Sequence, residues 1–214
     1  MDEPSTWDDI LLDESLDGSI AFLANVDWYL PYMLGLSEGI NLNDLADAES
    51  EAEVDAIMDP VWDKLEEIDP RVVEYTNDAN IMNLMSDGTL HAGQLFGADV
   101  TAVAEDTGEP FEYVFPEDGA WGNPSPWMIF ENTTDTNERY TMQHLMQASL
   151  DRERRANFVE DMPYAQAIQW DGMENAMDGH PDTVNIDNIV DPDPTVVAEY
   201  QEEWALEMQQ RIGL

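Results

Sequence analysis

Apolar positions recur along the chain in two rhythms, and the alternation between them predicts the elements. Over 50–69, "SEAEVDAIMDPVWDKLEEID", the spacing of Val54, Ile57, Met58, Val61, Trp62 and Leu65 puts one apolar face on a helix, which Pro60 is expected to kink or split. A second amphipathic helix closes the chain, with Val197, Tyr200, Trp204, Met208 and Ile212 on one stripe. Shorter helices are expected at "TWDDILL", with Thr6 as N-cap and Asp8 and Asp9 at the positive end, and at "WYLPYMLGLSEG", where Trp28, Tyr32 and Leu36 share a spacing and Gly39 ends the run. "NIMNLMSDG" and "GADVTAVAEDTG" complete the helices of this half. Between them lie short strand-like runs: "GSIAFLA" from Gly18, "VVEYT", "LHAGQLF" and "FEYVF". Strands alternating with helices predict an α/β fold with a mainly parallel sheet.

The pattern changes after Glu117. "WGNPSPWMIFENTTD" is rich in Pro and Gly and leads to a strand-like run over 127–130, a composition that suits passage between domains. "TNERYTMQHLMQASLDRERRANFVED" reads as two helices broken near Ser149 and Leu150. No internal repeat is visible.

Charge narrows the function classes. Asp and Glu number 48 against 7 Lys and Arg, a net charge of -41, and Lys64 is the one lysine. Such an imbalance can signal disorder, but 43% hydrophobic residues spaced periodically argue for a folded core. The acids are spread over the whole length, as in a surface adapted to high salt, where screening removes most self-repulsion; an acidic protein of ordinary salt is the plainer alternative. Nucleic acid is not an expected partner, because the basic residues gather only at Arg152, Arg154 and Arg155, where local acids can pair with them. Cysteine is absent, so there are no disulfides or thiolate metal sites. The start lacks the basic and apolar regions of an export signal, and no apolar run reaches membrane-spanning length.

Several stretches, in order, carry a resemblance. They are Trp7 with "DDILL", Gly88 before "LHAG", Gly108-x-Pro110 before "YVFPEDGA", Trp121, the "NTTDTNERYTMQHLMQASLDRERRANF" segment and Tyr164 in "MPYAQ". Together they make the chain, from about Pro4 to the C-terminus, similar to the spermidine/putrescine-type extracellular solute-binding proteins of ABC importers. The resemblance implies a periplasmic-binding-protein-like fold of type II. Residues 1–118 with 187–214 would form the second lobe, and 119–186 the returning part of the first. The N-terminal part of that first lobe has no counterpart here, which suggests a truncated or split chain and a separately encoded N-terminal lobe as a partner. Apolar side chains such as Trp127, Ile129, Phe130, Leu145 and Phe158 should then lack part of their cover.

The same resemblance implies an extracellular or cell-surface location, a membrane permease as partner and a small organic solute held between lobes by hinge closure. Phe96, Trp121 and Tyr164 match cleft aromatics, whose faces can hold an amine. Asn25, Asp27 and Trp28, in "ANVDWY", and Asn123 and Ser125 match polar positions of the cleft. Asn25 and Trp28 stand where polyamine binders carry acids, so spermidine itself is a weaker expectation than a less cationic solute. No cofactor is implied.

Other readings stay beside this one. Aromatics at such spacings are ordinarily core. His91, His144 and His180 are isolated and lack metal-ligand spacing. "DPDP" at Asp191 to Pro194 lacks the pattern of a calcium loop and reads as a rigid connector. "NTT" at Asn132 is a glycosylation sequon, relevant on export. An acidic α/β enzyme is a rival, although 48 acids make paired carboxylates for hydrolysis uninformative and no G-x-S-x-G, P-loop or dinucleotide motif appears. A non-functional remnant is the third possibility.

Overall fold

The computed structural model describes residues 4–16, 20–23, 28–68, 72–75, 78–94, 114–121, 129–130, 132–151, 153–154, 157 and 188–212. By internal contacts the chain divides into one unit of 1–122 with 185–214 and a second of 123–184.

The first unit is built on a small parallel sheet. Strand β1 (Ile20–Leu23) lies centrally, with β2 (Val72–Tyr75) on one side and β3 (Ala92–Gly93) on the other. Ile20 pairs with both Val72 and Ala92, and the backbone N–H of Gln94 extends the β3 ladder by donating to the Ala21 carbonyl at 3.0 Å. The sheet is covered on both faces, as the unbroken apolar run of β1 requires. Ile20 and Phe22 point into the larger core, while Ala21 meets Ile81, Met85 and Leu90 on the opposite face.

The larger core is supplied by helices α1 (Trp7–Leu11), α2 (Tyr29–Ser37), α3 (Glu51–Ile68) and the C-terminal helix, together with a 3-10 segment at Leu42–Asp47. The smaller one rests on α4 (Asp78–Ser86). Helix α1 starts as expected: Thr6 Oγ1 accepts from the Asp9 N–H at 3.2 Å, and Asp9 Oδ2 accepts in return from the Thr6 N–H at 2.9 Å. The Asp9 carboxylate, also hydrogen-bonded to the Ser5 N–H, is held below its ordinary pKa first by that bond and then by those from Thr6.

Helix α2 departs from the simple one-face reading. Every residue from Tyr29 to Leu36 is buried, so the helix has no polar side for periodicity to mark. It ends on a Schellman turn, with Gly39 N–H donating to the Leu36 carbonyl and Ile40 N–H to the Gly35 carbonyl; Gly39 takes φ +70°, which favours glycine.

Helix α3 runs from Glu51 to Ile68 through Pro60, so of the two expected effects the split does not occur. Proline removes the bond to the carbonyl four residues back, and that residue, Ala56, is exposed, so water can take the bond's place. Its buried face is Met58, Val61, Trp62, Leu65 and Ile68, plus Lys64. The Lys64 side chain is 5% exposed, and its ammonium sits 2.8 Å from Asp8 of α1, 3.1 Å from Glu38 at the end of α2 and 3.8 Å from Glu67. Burial alone would lower its pKa, but bonds to Asp8 and Glu38 raise it overall.

Two further strands were not foreseen. Ala120–Trp121 (β4) and Ile189–Val190 (β5) pair in parallel, just where the chain leaves the first unit and just after it returns. The turn before β4 is fastened to α1: Trp7 N–H donates to Asp118 Oδ2 at 2.9 Å, and Trp7 Nε1 to the Gly119 carbonyl at 2.8 Å. Gly119 has φ +99°, and a Cβ there would lie 2.6 Å from the Asn188 carbonyl oxygen.

Behind β5, Asp193 begins the last helix of this unit (Pro194–Ile212), its Oδ1 accepting from the Thr195 N–H at 2.7 Å. Here Val196, Trp204 and Met208 are buried, and Val197, Tyr200 and Ile212 pack at the edge of the core. The expected stripe is thus rotated toward Val196. Arg211 bonds Glu66 of α3 at 2.6 Å and Glu207 at 2.9 Å, and lies 5.8 Å from the Trp62 ring centroid.

In the second unit, Thr136–Ser149 is helical, hereafter α5, with the last helix of the chain as α6. Asp135 caps α5 through the N–H groups of Asn137 and Glu138. It ends at Ser149, where the break is expected. None of its residues is buried, and Phe130, Tyr140, Leu145 and Leu150 are exposed. Ile129 is half-buried, whereas Trp127 and Phe158 lie outside the described residues. The helix expected over 97–108 also lies outside them. Of the strands expected over 111–115 and 127–130, residues 114–115 and 129–130 are described and are not in strands.

Candidate functional site

The strands β2, β1 and β3 are parallel, so their carboxyl ends lie along one edge of their sheet, at Tyr75, Leu23 and Gly93. From β1 the chain crosses through α2 and α3 to β2, then through α4 to β3 on the other side of β1. The first connection moves outward from β1 and the second crosses back past it, so β1 and β3 are neighbours where the strand order reverses, the place where open α/β sheets bind ligands. Two groups of candidate residues follow these ends in the chain. Asn25, Asp27 and Trp28 come after β1, and Phe96 comes after β3.

Trp28 is the candidate whose side chain the structure describes. It is the N-cap residue of α2, half-buried against the larger core. Its ring meets Tyr29 edge-on, centroids 4.3 Å apart, and Tyr32 edge-on at 5.8 Å. Tyr32 in turn lies edge-on to Trp204 at 6.0 Å, and Tyr200 stacks on Trp204 at 6.0 Å. Such contacts fix ring orientation, each contributing about 0.5–1.5 kcal/mol beyond area burial. Trp28 is thus braced from behind by an aromatic row that reaches α6.

The row is tied by polar bonds as well. Tyr32 Oη donates to Asn43 Oδ1 at 2.8 Å, the Asp193 N–H donates to the same oxygen at 2.7 Å, and Asn43 Nδ2 donates to the Asp191 carbonyl at 2.9 Å. Burial pushes the Tyr32 phenol up to about 12, so it remains a hydrogen-bond donor throughout the physiological range. The "DPDP" segment is held by Asn43 and begins α6, which agrees with its reading as a connector.

Gln94 was missed in the sequence. It follows β3 directly, and its carboxamide nitrogen and oxygen are shielded from solvent at the carboxyl edge of the sheet. A lone Gln between "HAG" and "LF" gives no pattern to find it by.

The other candidates are not brought together by described side chains. Trp121 belongs to β4 by its backbone, and its side chain is outside the description; Asn25, Asp27, Phe96, Asn123, Ser125 and Tyr164 lie outside the described residues altogether. Of the histidines, His91 and His144 are exposed and His180 is outside. Among the described residues no group of three or more His, Asp or Glu could hold a metal ion, and no helix is long and apolar enough to cross a membrane.

Comparison with known proteins agrees with this geometry. Residues 1–169 match the family described as bacterial extracellular solute-binding protein. No curated protein matches the sequence significantly. Among solved structures, the spermidine/putrescine ABC transporter substrate-binding protein PotD of Streptococcus pneumoniae superposes with a TM-score of 0.68 at 16% identity, covering 99% of this chain and 64% of that one. An ABC transporter protein from Clostridium perfringens gives 0.65 at 16% identity, covering 98% and 63%. The binding protein MotA of Agrobacterium tumefaciens, solved with glucopine, gives 0.65 at 16% identity, covering 98% and 64%. The chain spans under two thirds of the length of these proteins. At such identities the likeness carries the fold, which is periplasmic-binding-protein-like. By its match over 1–169, the chain belongs to the bacterial extracellular solute-binding protein family.

Proposed function

We propose that the chain forms much of the substrate-binding component of an ABC importer and takes a small organic solute into a cleft that closes by a hinge. The observation that carries this reading is the parallel sheet of the first unit, whose carboxyl ends lead directly into Asn25, Asp27 and Trp28 after β1 and Phe96 after β3. By the resemblance, residues 119–186, which include Trp121, Asn123, Ser125 and Tyr164, are the returning part of the other lobe and supply the second wall. Hinge closure gains the contacts that exist only with both walls engaged.

Phe96, Trp121 and Tyr164 stack on the solute, and Asp27 or Asn25 orients its polar end. PotD is named for spermidine and putrescine and MotA was solved with glucopine, so these bracket the solutes to test. A membrane permease receives the loaded protein. The rest of the fold present in the neighbours is supplied by further polypeptide, in the same chain or as a separately encoded lobe. The surface is adapted to high salt.

Tryptophan fluorescence titration in molar KCl tests the reading on the protein purified from its host. Saturable quenching or a spectral shift with spermidine, putrescine or glucopine, without turnover of the solute, is expected. Conversion of the solute would replace the reading with an enzymatic one.

A further inference from the structure

Phe130, Asn132 and Thr134 form a set that solute binding leaves unused. Asn132-Thr133-Thr134 is an acceptor sequence for N-linked sugar. The one other asparagine in the chain followed two residues later by Ser or Thr is Asn123, and the intervening Pro124 excludes it.

The local structure suits modification. Thr133 N–H donates to the Phe130 carbonyl at 3.0 Å, closing a four-residue turn in which Asn132 takes the third position. Asn132 and Thr134 are exposed, ahead of the Asp135 cap that fixes the start of α5. A transferase needs such a placement, because the acceptor amide and the hydroxyl two residues on must both enter its site, which helix or sheet hydrogen bonding would oppose. Phe130, two residues before the acceptor, is 75% exposed, the most exposed large apolar side chain among the described residues. The turn holds the Phe130 and Asn132 backbones in one four-residue loop, so the C–H face of a pyranose attached at Asn132 can reach and cover the ring. That contact returns apolar ring surface from water, at about 25 cal/mol per Å².

We propose that Asn132 is an N-glycosylation site and that its first sugar packs on Phe130. The donor class is an oligosaccharide linked through phosphate to a polyisoprenyl lipid. The anomeric C–O bond to phosphate breaks as a bond forms from that carbon to Asn132 Nδ2. The amide loses one proton, and the lipid phosphate leaves with the bonding electron pair; no oxidant or reductant is needed. The inference rests on the extracellular placement of the family, because lipid-linked sugar is transferred outside the cytosol.

The test takes the protein from its natural host, with cytosolic and exported fractions separated. Cleavage after Glu131 and Glu138 releases residues 132–138 for mass spectrometry. A sugar increment on that peptide in the exported fraction is expected, lost in Asn132→Gln and Thr134→Ala and kept in Thr134→Ser. Phe130→Ala should fold normally and show lower site occupancy. Exported protein with an unmodified 132–138 peptide would overturn the site while leaving solute binding intact. Unmodified protein confined to the cytosol would overturn both. An increment that survives Asn132→Gln would refute the assignment to Asn132, and unchanged occupancy in Phe130→Ala would refute the packing.

Discussion

Replacing Lys64 by Met removes the chain's one ammonium from among three carboxylates while keeping the side-chain stem. The wild-type side chain is 5% exposed, with its nitrogen 2.8 Å and 3.1 Å from Asp8 and Glu38. Asp8 Oδ1 is shielded from solvent, so the ammonium at 2.8 Å is what compensates its charge. Removing one partner of a fully buried pair costs about 3–5 kcal/mol, and an exposed pair contributes about 0–1. Because the Asp8 and Glu38 side chains are 43% and 35% exposed, solvent takes up part of the orphaned charge, which places the expected loss at about 2–3 kcal/mol. For a chain of this size that lowers Tm by about 5–10 °C. Urea unfolding followed by circular dichroism, in molar KCl, measures it. Adding Asp8→Asn and Glu38→Gln to Lys64→Met should restore most of the loss, because the remaining groups no longer repel. The folded ammonium titrates above its ordinary 10.5, so the wild-type contribution is complete below that value and fades as pH rises through the folded pKa. A loss below about 0.5 kcal/mol, or no recovery in the triple variant, would show that Lys64 only fills space.

Dialysis from molar KCl to dilute buffer should reduce helical circular dichroism and thermal stability, because a net charge of -41 is then unscreened; an unchanged spectrum and Tm would refute salt adaptation. Gly119→Ala places a methyl 2.6 Å from the Asn188 carbonyl at φ +99°, and should cost about 2–4 kcal/mol in urea unfolding; wild-type stability would mean that the β4–β5 junction shifts freely. Asp9 titrates below its ordinary 3.8 in the folded state, so its capping contribution is present above that value and is lost as pH falls through the lower folded pKa. Asp9→Asn should therefore flatten the fall of Tm in that acid range, and an unaltered acid limb would contradict the capping role.

Elements with a strong local signature were legible. The Thr6 cap, the apolar β1 run and the Gly39 stop each rest on a few neighbouring residues, and the structure uses them as expected. The 3-10 segment at Leu42–Asp47 was not legible: its two buried residues, Leu42 and Leu45, sit in a polar run too short to establish a period. The depth of α2 escaped for the opposite reason, since a helix buried all round has no polar face to set its phase. Pro60 misled because a proline's cost depends on whether the freed carbonyl reaches water, a tertiary fact. Lys64 would pass as a solvated charge until α1 and α2 are packed beside it. Strands β4 and β5 are two residues each and exist through pairing 69 residues apart at Ala120 and Ile189, which no local pattern records. Among the proposed site residues, the family resemblance marked Trp28 and Phe96, while the bracing of Trp28 by Tyr32 and Trp204 depends on the packing of α6.

The central claim is that residues following the carboxyl ends of the sheet, with Tyr164, hold a small organic solute. Isothermal titration calorimetry of the protein from its host decides this most directly, using whichever of spermidine, putrescine or glucopine perturbs its fluorescence, alongside the Phe96→Ala and Tyr164→Ala variants. One solute per protein should bind saturably, with each variant weakened about tenfold or more, equivalent to about 1.4 kcal/mol, and with circular dichroism unchanged. No heat from any of the three, or wild-type affinity in both variants, would contradict the account.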